Sequence, residues 1–165
     1  MAAADARWKQ TMSRQASEPF QLTDFFPYRL AVLSERVSMA VAQLYSYRFD
    51  VTRAEWRVLA ALAVNNAMTS KEIIAYSTLE KMQVSRAVAS LEAKGHVVRS
   101  TDAADRRAQI LTLTAAGRAL FKKIVPIARA READLLQDLD SEQLALLDSM
   151  MDKVLNRAQK LVERG

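Results

Sequence analysis

The stretch EKMQVSRAVASLEAKG, residues 80–95, gathers side chains suited to an anionic, hydrogen-bonding surface. Arg86 carries a planar fork that meets a guanine edge or a phosphate. Gln83, Ser85 and Ser90 are hydrogen-bonding groups, and Met82 offers an apolar contact for a thymine methyl. Lys81 is placed for a phosphate. A second set lies at 105–107. Asp105 and Arg107 are two apart, so on an extended strand they share a side and can pair, while Arg106 points away. An arginine on such a tip suits the minor groove, whose negative potential attracts it. A plain solvated helix and an incidental surface turn are the competing readings of the two sets.

Other chemistries find less support. The chain has no cysteine and one histidine, so thiolate chemistry and disulfides are excluded. A zinc site would have to gather carboxylates around His96, which opens a strand-like run after a helix-ending glycine. No nucleophile–base pair and no phosphate-cradling glycine loop is visible. We therefore expect no catalytic residues, no metal and no cofactor. The formal charge of +5 and pI near 9.7 fit an anionic partner. The longest apolar run, 58–64, falls far short of the ~20 residues a membrane span requires, and the N-terminus lacks a signal-peptide core. The expectation is a soluble, cytoplasmic protein with no membrane partner.

The elements that would hold these side chains can be read from spacing. In 80–95, Val84, Val88 and Leu91 fall on one helical face, opposite Met82, Arg86, Ala89 and Ala93. The small residues on the outer face would let the helix sit deep in a groove. Gly95 stops the helix. Upstream, T-R-A-E beginning at Thr52 and T-S-K-E beginning at Thr69 are capping boxes that start two helices, the second ending near Tyr76 before a turn at 77–80. A first helix is expected over about 27–47, with Leu30, Leu33, Val37, Val41 and Leu44 as its stripe. Downstream, Val98 and Ser100, then Gln109, Leu111 and Leu113, alternate as two strands around a turn at 102–105. Thr114 caps a long helix to about 139, bent at Pro126. A last helix follows from Asp140, with Leu144, Leu147, Met151, Val154, Ala158 and Leu161 at seam spacing.

The order is helix, helix, short helix, turn, helix, hairpin, long helix, helix. The expected class is mainly α with a small β-hairpin: a winged helix-turn-helix plus N- and C-terminal dimerisation helices. The boundaries are a mobile tail at 1–19, a helical dimerisation region at 24–47 and 114–163, and a DNA-binding winged domain at 52–113. The terminal stripes are too long to close over the middle and need each other or a second chain. A homodimer also supplies the span of about 34 Å between two recognition helices that a palindrome in double-stranded DNA requires.

Residues 84–117, with the pattern VSR, L-E-x-K-G, D-x-R and L-x-L-T-x-x-G, resemble the multiple antibiotic resistance regulator (MarR) family. AEWRVLAAL at 54–62 and DSEQLALL opening the last helix fit the same pattern. The resemblance implies an interlocked homodimer, DNA binding and transcription regulation. It also implies a ligand pocket between the dimer helices and the winged domain. With no cysteine, the family's peroxide sensing is ruled out, and its zinc sensing lacks ligands. Small-organic-ligand sensing or ligand-free repression remain.

For the pocket, the first helix offers Phe25, Tyr28, Arg29, Leu33 and Arg36, with Arg48 and Trp56 as a facing wall. Arginine beside aromatics suits an aromatic carboxylate. The opening FFPYRLAVLSERVS is similar to family members that regulate aromatic-acid catabolism, some of which sense the coenzyme A thioester. The expected effector is thus a small aromatic acid or an acyl-CoA, and the expected function a repressor released by it. The rival reading is a winged-helix protein-interaction module that binds no DNA.

Overall fold

The computed structural model describes residues 19–101 and 109–165. The wing tip, with Asp105, Arg106 and Arg107, lies outside the described residues, as does the expected tail apart from Pro19. Among the described residues there are six α-helices and a three-stranded antiparallel sheet. The chain divides into two compact units, 1–38 and 39–165.

After a 3-10 turn at Leu22–Asp24, helix α1 runs Phe26–Phe49. In the first unit its side chains are exposed, including Leu30, Leu33 and Val37. In the second unit it buries Ala42 and Tyr45. Asp50 adopts a left-handed φ of 51°, a conformation Asp tolerates, and ends the helix.

Helix α2, Arg53–Asn65, begins at the expected capping box. The Glu55 N–H donates to Thr52 Oγ1 at 3.2 Å, and the Thr52 N–H donates to Glu55 Oε2 at 2.6 Å. Helix α3, Ser70–Ser77, repeats the arrangement with Thr69 and Glu72. Thr78, left-handed at φ 52°, breaks the chain away, and helix α4 follows at Lys81–Ala93. Gly95, at φ +72°, ends α4 where a side chain would be strained.

Strands β2, Val97–Thr101, and β3, Gln109–Leu113, form the expected hairpin. Two features differ from expectation. A third strand, β1 at Ala67–Thr69, pairs with the other edge of β3, with Met68 opposite Leu111. On β2 the buried residue is Val97, opposite Leu113, whereas Val98 faces out.

Helix α5, Ala115–Leu135, runs without a break through Pro126. It stops short of the expected 139, because Asp140 takes an extended backbone to cap α6, Ser141–Val162, accepting the Gln143 N–H at 2.8 Å. The core of the second unit joins α2, α3, α4, the sheet and the start of α5: Leu59, Leu62, Ile73, Val88, Leu91, Leu111 and Ile124 are fully buried together. Helix α6 buries none of its residues. Its seam residues Leu147, Met151, Val154 and Leu161 are exposed, Met151 to 53%.

Candidate nucleic-acid interface

Helix α4 has two unlike faces. Val84, Ala87, Val88 and Leu91 are buried against the core. Lys81, Met82, Gln83, Ser85, Arg86, Ala89 and Ala93 are exposed. The short helix α3 and its turn precede α4, with Ile73, Ser77 and Leu79 packed inward. Five of the six residues read as major-groove contacts thus lie on the outer surface of one rigid element.

Ser90 does not join them. Half-buried, it donates its hydroxyl to Glu55 Oε1 at 2.7 Å. Its place is in a polar clamp between α2 and α4. Lys94 Nζ donates to the same Glu55 oxygen at 3.0 Å and pairs with Asp50 Oδ2 at 3.1 Å. Glu55 is almost fully buried. Burial alone would raise its carboxyl, but the Thr52 backbone N–H, the Ser90 hydroxyl and the Lys94 ammonium hold it below the usual range. Burial likewise works against the Lys94 charge, and its bonds to Glu55 and Asp50 overcome that and raise it. Sequence reading took Glu55 only as half of a capping box. Its reach to Ser90 and Lys94, more than thirty residues away, has no local signature.

A second clamp fixes α4 to the wing. Arg99 on β2 grips Glu92 through two bonds, Nε to Oε1 at 3.1 Å and Nη2 to Oε2 at 2.8 Å. The paired Arg99 lowers the Glu92 carboxyl. A third contact joins the end of α4 to α5. Thr114 Oγ1 donates to the Gly95 carbonyl at 2.8 Å and accepts the Gly117 N–H at 3.0 Å. Gly117 packs on the His96 backbone, where an added Cβ would come within 2.1 Å of the carbonyl oxygen. In the helix-turn-helix, Arg57 of α2 donates to Thr78 Oγ1 at 3.1 Å and braces the turn. Helix α4 is therefore anchored through its last turn, at Ser90, Glu92 and Gly95, and the turn before it is braced at Thr78, while its outer face stays open.

A sequence profile of the MarR family matches residues 49–108, from the end of α1 into the wing. Over that segment the chain is similar to the MarR family. It is 27% identical over 107 residues to the transcriptional regulator HosA of Escherichia coli O157:H7, covering 65% of this chain and 79% of that one. Among solved structures it is similar to a cysteine-to-serine variant of E. coli MarR in complex with operator DNA, with TM-score 0.74 and 20% identity over 83% of this chain and 99% of that one. It is also similar to Bordetella bronchiseptica BpsR, whose DNA binding is regulated by 6-hydroxynicotinic acid, with TM-score 0.74 and 23% identity over 83% and 97% of the two chains. These likenesses establish the MarR winged-helix fold, and HosA is named a transcriptional regulator.

The residues read as a ligand pocket divide between the two units. Phe25, Tyr28, Arg29, Leu33 and Arg36 are exposed in the first, where Phe25 meets Phe20 edge-on at 5.5 Å. In the second unit, Trp56 is half-buried: its ring lies 5.6 Å from Tyr45 and 5.5 Å from Phe121, stacked on the latter. Arg48 is exposed and lines a groove of about 550 Å³ with Leu44, Pro126, Ile127, Ala130, Arg131 and Asp134. Arg131 is paired with Asp134 at 3.2 Å. Among the described residues, no group of three or more His, Cys, Asp or Glu is placed to hold a metal ion, and no helix is long and apolar enough to cross a membrane.

Proposed function

We propose that this MarR-family chain is a DNA-binding transcription regulator that reads a palindromic operator as a homodimer and releases it on binding a small aromatic carboxylate or its coenzyme A thioester. The observation that carries the DNA reading is the outward face of α4, where Lys81, Met82, Gln83, Ser85 and Arg86 stand together on a helix whose last turn is clamped to α2 and to β2. Such a helix loses little conformational freedom on docking. Arg86 reads a base edge or holds a phosphate, Lys81 neutralises a phosphate, and the 105–107 tip enters the adjacent minor groove.

The dimer reading draws on α6, whose apolar seam is uncovered. Residues 24–47 and 114–163 form the dimerisation region, and 52–113 the winged domain. Dimerisation aligns two recognition helices about one turn of DNA apart, ~34 Å. The effector reading draws on Phe25 and Tyr28 with Arg29 and, further along α1, Arg36, all exposed, and on Arg48 in its groove. BpsR, a neighbour in fold, is regulated by an aromatic acid, which supports this reading by analogy of fold. To act, the effector must prefer the spacing of recognition helices that does not fit DNA; a preference of about 3 kcal/mol lowers DNA affinity ~150-fold.

The test is binding to selected duplexes across a salt series. The DNA reading requires a steep fall of log K with log[salt]. Arg86→Ala should cost about 1–3 kcal/mol and relax one base position if Arg86 reads a base. Weak, salt-insensitive association with no selected sequence would establish the rival, a protein-interaction module.

A further inference from the structure

The first turn of α4 holds a hydrogen bond that bears on base choice. The Glu80 backbone N–H donates to Gln83 Oε1 at 3.0 Å. Only the carbonyl end of a primary amide accepts a hydrogen bond, so chemistry fixes which end faces the backbone. The Glu80 N–H engages the carbonyl end and turns it toward the backbone, so the opposite end of Gln83 is its NH2 group, with two donors. Gln83 is exposed, so that end is open. Its outward neighbours Lys81 and Arg86 are also donors without acceptor capacity, and the Ser85 hydroxyl serves either way. Glu80, at the cap itself, is the acidic neighbour.

A free glutamine reads adenine with both ends of its amide, donating to N7 and accepting from N6. In the capped Gln83 the accepting half of that pair is engaged by the Glu80 N–H and turned toward the backbone. Guanine presents O6 and N7, and thymine O4, all acceptors in the major groove. We infer that Gln83, turned by its bond to the Glu80 N–H, is a donor-only specificity residue that selects guanine or thymine over adenine at one position of each half-site. This rests on the DNA-reading role of α4 proposed above.

The test is selection from randomised duplexes with the full chain, followed by affinities for all four bases at each selected position. Wild type should favour guanine or thymine at one position, and Gln83→Met should lose that preference while keeping the others. Gln83→Glu keeps an acceptor for the Glu80 N–H but replaces the free donor by an acceptor. Its melting temperature should match wild type, and its preference there should move to cytosine, whose N4 donates. The wild-type site should bind this variant at least about tenfold less tightly, as expected for a lost base contact. Wild-type selection of adenine at the position that Gln83→Met relaxes would overturn the inference. So would unchanged base preferences in both variants. Failure of wild type to bind any duplex would instead remove the DNA reading itself.

Discussion

Glu55→Gln separates a clamp from a mere cap. The Glu55 carboxylate uses both oxygens: Oε2 accepts the Thr52 N–H at 2.6 Å, and Oε1 accepts from Ser90 at 2.7 Å and Lys94 at 3.0 Å. Glutamine has one acceptor end. Whichever way it turns, its NH2 group faces a donor, either the Thr52 N–H or the Ser90 and Lys94 pair. Hydrogen bonds to a charged group contribute about 1.5–3 kcal/mol and neutral ones about 0.5–1.5 kcal/mol. The side chain is 2% exposed, so water cannot fill the gap, whereas Lys94 at 29% retains solvent and Asp50. The expected deficit at neutral pH is about 2–3 kcal/mol, measured by urea unfolding at fixed protein concentration, since the proposed dimer would make stability depend on it. The carboxyl lies below its ordinary value in the folded chain. Its contribution is therefore complete above the unfolded value of about 4.3 and is lost as pH falls through the lower folded value. The variant's deficit should shrink over that acid range. Equal stability at neutral pH, or a deficit indifferent to acid, would refute the clamp.

Three further perturbations test the Glu55 clamp, the packing at Gly117 and the α6 seam. Ser90→Ala should cost about 1 kcal/mol of stability, read in the same unfolding assay, and leave base preference unchanged, because its hydroxyl serves Glu55. Gly117→Ala drives a methyl into the His96 carbonyl and should destabilise by about 1–3 kcal/mol or more, visible as a lowered melting temperature. Met151→Glu places a charge on the uncovered seam of α6; sedimentation should show a shift from dimer to monomer, with operator affinity falling in step.

Local signals in the sequence were the reliable ones. The capping boxes at Thr52 and Thr69 are single-turn motifs whose partners lie three residues away, and both helices start there. The alternation of Val84, Val88 and Leu91 against Met82 and Arg86 separated the faces of α4 correctly, because a helix converts spacing directly into direction. Strand β1 went unread since three residues are too few to show alternation, and Thr69 doubles as a helix cap. Which of Val97 and Val98 faces the core is not legible in the sequence, because both are apolar and only pairing with Leu113 decides the register. Ser90 and Trp56 have partners within the fold that the sequence did not signal, for a common reason. Their partners, Glu55, Tyr45 and Phe121, are remote in sequence or on another helix, and a polar or aromatic residue at a helix surface looks alike whether it meets solvent, ligand or its own fold.

Hydroxyl-radical footprinting of a selected duplex bears most directly on the central claim, that paired α4 helices present Lys81, Met82, Gln83, Ser85 and Arg86 to successive major grooves. Wild-type protein should protect two patches on one side of the duplex about one helical turn apart, and Arg86→Ala should lose both at the same protein concentration. A single protected patch, a continuous unphased one, or protection that survives Arg86→Ala unchanged would contradict it.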